Sequence, residues 1–599
     1  MNILTPRIPI RKPPNTRHRS MVVACFLALG TTFGAVSLAV SQEALPPIDT
    51  PKGLAAAVAT PGSDAPLPSE PFGYPDEPVE SAAVKTKGGT PGGVIFLKDI
   101  PRALTPEVSY PQVILQGEQL QPLTDDQSQD PTSPFSVIPT DRPSAPPKLD
   151  QTNAPGDAKA PGDLVAQWKA ISNTGWIPPD TVHAVGPSHV IEAVNSGFAV
   201  YNKTGGTIQA HTTYDSFMNK PSPWSSGAFM YDPRVIYDPW HNRFLMLILG
   251  LDETNQKSYF WVAVSKTSNP TQGWCRWRWD STIGSGSTAQ WLDYAGLGAD
   301  KWGVYVTGNY FRFGGSFQTS MIQTINPAIF TANCAGATNG VKWTGLTWPS
   351  GGSAFSLQPA LPHSASSTSN TYFVNTFSGS GNSMLLWKLG GSRTSAAAAT
   401  LSRSAIAVQQ YYAIGNNVKQ PGSSVRIDGG DARVMNAVYS QGRVFTTLTT
   451  DVNNNGNRSG WLTVRLNTSN NSRDWQHLLY GGNGFYYFYP AITVQGGGSA
   501  NAHLGVFGGW TDAETAQSAA TKYGSGLVKI YDNQPAATTG PFLNLVNGLG
   551  VYNRVSNGRN RWGDYSGAGY DWSTGNLWGA FEWADTGNKW ATSISARKF

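Results

Sequence analysis

Trp291-Leu292-Asp293-Tyr294-Ala295-Gly296-Leu297-Gly298-Ala299-Asp300 reads W-x-D-Y-small-G-x-G-x-D. The pattern returns as Trp562-Gly563-Asp564-Tyr565-Ser566-Gly567-Ala568-Gly569-Tyr570-Asp571. Each copy runs through a short turn into an aromatic strand, Trp302-Gly303-Val304-Tyr305 and Leu577-Trp578-Gly579-Ala580-Phe581. Looser copies open at Asp180, Asp232, Gln358, Asp431 and Tyr489, each leading into an apolar run. Repeats of roughly forty residues or more built from four strands mark β-propellers. The spacing predicts an all-β, seven-bladed propeller in which each unit begins with the innermost strand. Val165–Ser172 is expected to close the ring by pairing with the strand at Ser593-Ile594-Ser595.

Composition agrees with that reading. The chain of 599 residues holds 65 Gly, 21 Trp, 23 Tyr and 24 Phe, with only 14% charged residues. Glycine and aromatic residues suit tight turns and strands. All the tryptophans lie between Trp168 and Trp590, whereas 26 of the 42 prolines lie at or before Pro161. The chain therefore divides into a leader at 1–41, a Pro/Ala/Ser-rich disordered linker or pro-segment at 42–164, and the propeller at 165–599. Within the linker, Val94-Ile95-Phe96-Leu97 and Val113-Ile114-Leu115 are short enough to dock as isolated strands. A basic start, the apolar run Met21–Val40 and small residues at Ala39-Val40-Ser41 make a secretory signal, with cleavage before Gln42. The mature chain is expected to have no membrane span and to be secreted, periplasmic or surface-bound.

The net charge of +5 resides in Arg7, Arg11, Lys12, Arg17 and Arg19, so the rest of the chain is neutral. A nucleic-acid partner, which needs a basic footprint, is excluded on that ground. No P-loop, dinucleotide fingerprint, zinc spacing or G-x-S-x-G occurs, so no nucleotide cofactor is expected. Cys275 and Cys334 would close a loop of about sixty residues, worth roughly 3–4 kcal/mol in an oxidising compartment. Two buried thiols are the alternative.

Pro178-Pro179-Asp180-Thr181, Asp232-Pro233-Arg234, the Trp-x-Asp-Tyr pair and Val264-Ser265-Lys266-Thr267-Ser268-Asn269-Pro270 resemble secreted bacterial β-propeller proteins over roughly 165–599. More distantly they are similar to sialidase-like propellers, whose turns carry the Asp box S-x-D-x-G-x-T-W. Ser265, Asn269, Gly273 and Trp274 form a degenerate version of that box.

Four groups of residues suggest chemistry. Asp232, Asp293, Asp431 and Asp564 open strands and would converge at one channel mouth, where Ca²⁺ is the sharper reading and pairing with arginine the plainer one. Arg234 and Arg433 lie two residues past their aspartates and would hold a carboxylate of an acidic sugar. His183, His363, His503, Tyr294 and Tyr565 supply acid/base candidates for a lyase or glycosidase. Trp274, Trp277 and Trp279 are read as one strand face for sugar stacking. Asp451-Val452-Asn453-Asn454-Asn455-Gly456 opens like a calcium loop but lacks the closing Glu, and reads as a polar hairpin turn. These residues point to a propeller that acts on or binds extracellular polysaccharide. A non-catalytic lectin-like or adhesive module is the alternative.

Overall fold

The computed structural model describes residues 74–100 and 163–598, apart from 332, 336–337, 364–368, 482–483, 497–501, 514–521, 534–541 and 557. All of these belong to the compact unit Pro66–Phe599. The leader at 1–41, its cleavage point and the run at 113–115 lie outside the described residues. No helix among the described residues is long and apolar enough to cross a membrane.

The described chain is almost wholly β, with one turn of α-helix at Tyr214–Phe217. Its sheets have a propeller-like arrangement of antiparallel strands taken in chain order. One sheet holds Val182–Val185, His189–Val194, Gly197–Asn202 and Thr207–Thr213. A second is built from Phe229–Asp238, Arg243–Asp252, Lys257–Ser265 and Trp274–Asp280. A third runs from Gln290–Asp300 through Gly303–Arg312 and Phe317–Ile325 to Val341–Thr344. Near the C-terminus, Gly567–Tyr570, Leu577–Asp585 and Lys589–Lys598 pair with Asp163–Ser172, the first strand of the main body. That is the ring-closing pair expected from the sequence, with Ile594 opposite Trp168. Closure leaves Lys589–Lys598 paired on both sides.

The remaining large sheet differs from the expectation of separate blades. It has 13 strands. It is antiparallel within 358–412, within 434–480 and within 485–548. Two short parallel contacts join these runs: Ala360–Pro362 beside Ala437–Tyr439, and Ser459 beside Tyr486.

The segment 74–100 also departs from the linker reading. Glu77–Pro78, Val84–Lys85 and Thr90–Ile95 are strands on three sheets, pairing with Ala399–Tyr412, Val341–Thr344 and Trp274–Asp280. Its Pro/Ala/Ser-rich composition, poor in core-forming residues, made it look like linker with only Val94-Ile95-Phe96-Leu97 able to dock, but its extended backbone can satisfy open sheet edges.

Packing explains the uninterrupted apolar runs. Leu245, Leu247 and Leu249 join a core with Leu292, Leu297, Val304 and Val306 of the following sheet. Phe244, Met246 and Ile248 face the other way, among Ile191, Phe198 and Val200 of the preceding sheet. Alternate side chains point to opposite faces, so a sheet covered on both sides needs apolar residues at every position. The same rule corrects the tryptophan face. Cys275, Trp277 and Trp279 pack on one side, and Trp274 packs on the other. All three rings are buried between sheets. Cys275 and Cys334 are joined as a disulfide, which ties the second sheet to the segment beyond Phe317–Ile325.

Candidate functional site: the strand-opening cluster

The inner strands open with a kink. Asp180, Asp232, Tyr294, Ser356 and Tyr489 all have positive φ, between 47° and 54°. Bulges follow in the pairing of Phe229–Asp238, Gln290–Asp300 and Phe485–Val494. A non-glycine residue in this conformation costs energy, so something must hold it. The holders are polar side chains of a neighbouring unit. Asn195 Oδ1 accepts from Asp232 N at 2.9 Å, Asp232 Oδ2 from Tyr294 N at 2.9 Å, and Asn309 Oδ1 from Ser356 N at 2.8 Å. Thr449 Oγ1 accepts from Tyr489 N at 2.9 Å, and Asp180 Oδ1 from Asp564 N at 2.7 Å. The strand-opening aspartates are thus partly spent on fastening one unit to the next.

Over these clamps lies a cluster of arginines and tyrosines from distant parts of the chain. Tyr294 and Tyr565, equivalent residues of the two sequence copies, meet edge to face with centroids 6.0 Å apart. The Arg234 guanidinium stacks 3.5 Å over Tyr565 and 5.5 Å from Tyr294. Arg433 lies 4.2 Å over Tyr294 and 5.0 Å over Phe355. Asp431 takes both arms of Arg433, each at 2.7 Å. Asp564 pairs with Arg561, and Asp428 with Arg559. The structure therefore brings together Arg234, Arg433, Tyr294, Tyr565, Asp431 and Asp564. Asp232 reaches the cluster through its bond to Tyr294, and Asp293 is buried in the same kink.

Arg234 is the exception in this group. It is 8% exposed, its Nε donates to Ala295 O at 2.7 Å, and its Nη2 has no hydrogen-bond acceptor. No carboxylate forms an ion pair with it among the described residues. A buried cation held only by a carbonyl and two ring faces retains unused capacity for an anion. Planar guanidinium suits a carboxylate, which can take two parallel N–H bonds. The tyrosines are held protonated here, so neither is poised as a general base. Burial raises both the Tyr294 and Tyr565 hydroxyls, and the nearby guanidiniums only partly offset it. Tyr565 donates to Pro233 O at 3.2 Å.

The histidines lie elsewhere. His183 and His363 line a cavity toward the other end of the same inner strands, with Tyr237, Tyr570 and Trp572. It has room for a few waters. Burial lowers His183 to about 3 and His363 to about 4, with the Val494 carbonyl at 3.1 Å opposing the second shift. His503 pairs with Asp532 at 2.7 Å on another strand pair. The five acid/base candidates are thus divided among three places. Among the described residues no three His, Cys, Asp or Glu side chains converge as a cation site. Asp451 caps its own turn, accepting from Asn453 N and Gly456 N.

Sequence reasoning passed over Asp428, Arg559, Arg561 and Phe355. The signals were present. Asp428 stands three residues before Asp431, and Arg559-Asn560-Arg561 immediately precedes the second decapeptide.

No protein family matches the chain, and no curated protein aligns with it. Solved structures align only remotely. A mutant of Trypanosoma rangeli sialidase displaying trans-sialidase activity is 7% identical, with TM-score 0.29 over 70% of this chain and 59% of that one. A GH43 endo-arabinanase from Bacillus licheniformis is 13% identical, with TM-score 0.25 over 51% of this chain and 98% of that one. An ACO/RPE65 chimera is 7% identical, with TM-score 0.34 over 61% of this chain and 71% of that one. The alignment spans about three fifths of the trypanosomal sialidase's length.

Proposed function

We propose that this chain is an exported, seven-bladed propeller that binds an acidic polysaccharide at the strand-opening cluster without cleaving it. The blade count takes the 13-stranded sheet as three blades fused by its two short parallel contacts. Arg234 carries the functional reading: it is a buried guanidinium with an unused Nη2, stacked on Tyr565. A uronate or sialate carboxylate matches its charge and its planar donors. Binding is favoured over turnover because Asp431 and Asp564 are engaged by arginines. The tyrosine hydroxyls are held protonated by burial, and the histidines line a separate cavity. Calcium has no part in this reading, since guanidinium and backbone N–H groups already supply the carboxylates with positive partners.

The test is titration of the full chain with polygalacturonate and with a neutral glucan, while unsaturated products and reducing ends are monitored. The acidic polymer should bind, more weakly as salt rises, and yield no product. Losing a hydrogen bond to a charged group costs about 1.5–3 kcal/mol, so Arg234→Ala should weaken binding by about tenfold or more. Arg234→Lys should not restore it. Equal binding of the neutral polymer, or unchanged binding by a folded Arg234→Ala, would refute the proposal. Product release would make the chain an enzyme.

A further inference from the structure

The segment 74–100 crosses the outside of three sheets and ends in the core shared by the Val182–Thr213 sheet and the Phe229–Asp280 sheet. At its start, Asp76 pairs with Lys388 at 2.7 Å and accepts from Asn471 Nδ2 at 3.1 Å, while Pro75 O accepts from Ser404 Oγ at 2.7 Å. In the middle, Thr86 N donates to Gly340 O, Gly340 N returns a bond to Thr86 Oγ1, and Gly89 N donates to Thr338 Oγ1, each at 2.8 Å. Further on, Thr90–Ile95 pairs with Trp274–Asp280, and Arg276 Nη2 donates to Gly92 O at 2.6 Å. At the end, Leu97 and Ile100 are buried, 2% and 5% exposed, in the core that holds Phe198, Phe217 and Trp274.

The glycines of this segment fit the surface beneath. A Cβ on Gly89 would meet the Trp279 ring at 2.6 Å, and one on Gly92 would meet Asn219 at 2.4 Å. The backbone therefore lies flat where any side chain would hold it off. The outward side chains face solvent, with Val84 62% exposed. This is how an extended peptide adds to open sheet edges: backbone bonds hold it, and two apolar anchors set its position.

We propose that the outer edges of these sheets form a peptide-binding surface whose ligand is the chain's own 74–100 segment. The segment is held by its contacts alone and stays bound after the 101–162 connection is cut. Residues 1–73 then remain attached to the propeller without a covalent link.

The experiment inserts a specific protease site between Asp125 and Asp126 of the full chain. After complete cutting, the two fragments should co-elute on size exclusion in native buffer and separate only in denaturant. Excess synthetic peptide spanning 74–100 should exchange with the bound fragment. The same peptide carrying Leu97→Asp and Ile100→Asp should not. An N-terminal fragment that elutes alone from a remainder with unchanged melting temperature overturns the proposal. So does equal exchange by the doubly substituted peptide.

Discussion

Glu192 and His183 sit opposite each other on adjacent strands, both fully buried, and titrate in opposite senses. Burial pushes Glu192 up to about 7, against hydrogen bonds from Thr592, Ile171 and Tyr201. A carboxyl raised in the folded state stabilises fully below its unfolded value of 4.5, and that contribution is lost as pH rises toward 7. The amount is about 3 kcal/mol, at 1.36 kcal/mol per pH unit. His183, lowered by burial from 6.5 to about 3, contributes fully above 6.5 and loses that contribution as pH falls toward 3. The two slopes cancel between their unfolded values. Urea titrations are expected to show a plateau from this pair between about pH 4.5 and 6.5, with stability climbing with pH below that window and falling above it. Glu192→Gln should convert the plateau into a stability that climbs with pH up to about 6.5. His183→Asn should convert it into one that falls from about 4.5 to 7. A wild-type plateau that survives both substitutions would contradict the assignment.

At the scale of the strand, the repeated decapeptide is a docking device. In Gly296 and Gly298 a Cβ would strike Pro359 of the next inner strand at 2.6 Å. In the second copy, a Cβ on Gly567 would lie 2.6 Å from His183 Nδ1 and 2.9 Å from its backbone N. Glycines two apart share one strand face, so G-x-G is the bare strip on which the neighbouring strand rests. The closing aspartates of both copies cap hairpins. Asp300 accepts from Trp302 N, and Asp571 accepts from Ser573 N. Gly567→Ala should cost about 1–3 kcal/mol by overpacking. Gly569→Ala, whose Cβ would stand 3.3 Å from His183 Nε2, should cost clearly less. Comparable unfolding midpoints for the two variants would refute this. Asp232→Ala leaves the Tyr294 N–H without its acceptor and should lose about 1–3 kcal/mol, read in the same denaturation assay.

For the molecule as a whole, two long-range links hold the ring. Asp163–Ser172 completes the last sheet, so deleting it should expose the edge of Lys589–Lys598 and abolish cooperative unfolding. The Cys275–Cys334 bond spans 59 residues. Loop-closure entropy assigns such a crosslink about 4 kcal/mol. Cys275→Ser with Cys334→Ser should lower the unfolding free energy by about that amount while leaving the near-ultraviolet circular dichroism unchanged. A double variant as stable as the parent would show that the bond adds nothing.

The all-β character, the strand openings and the ring-closing pair followed from the sequence, because alternation, turn residues and a repeated motif are local properties of a chain. Arg234, Arg433, Asp431 and Asp564 were legible as a group for the same reason, since equivalent positions of a repeat recur in space. The tertiary structure decided everything that depended on a partner distant in the chain. It made Asp180 and Asp232 clamps for backbone N–H groups. Among the described residues it left Arg234 without a carboxylate while pairing Arg433, Arg561 and Arg559. It buried the three tryptophans, sent the histidines to other places, and laid 74–100 on open edges. Composition reports what a segment is made of. Whether a side chain is spent or available depends on which neighbour the fold brings within hydrogen-bonding distance.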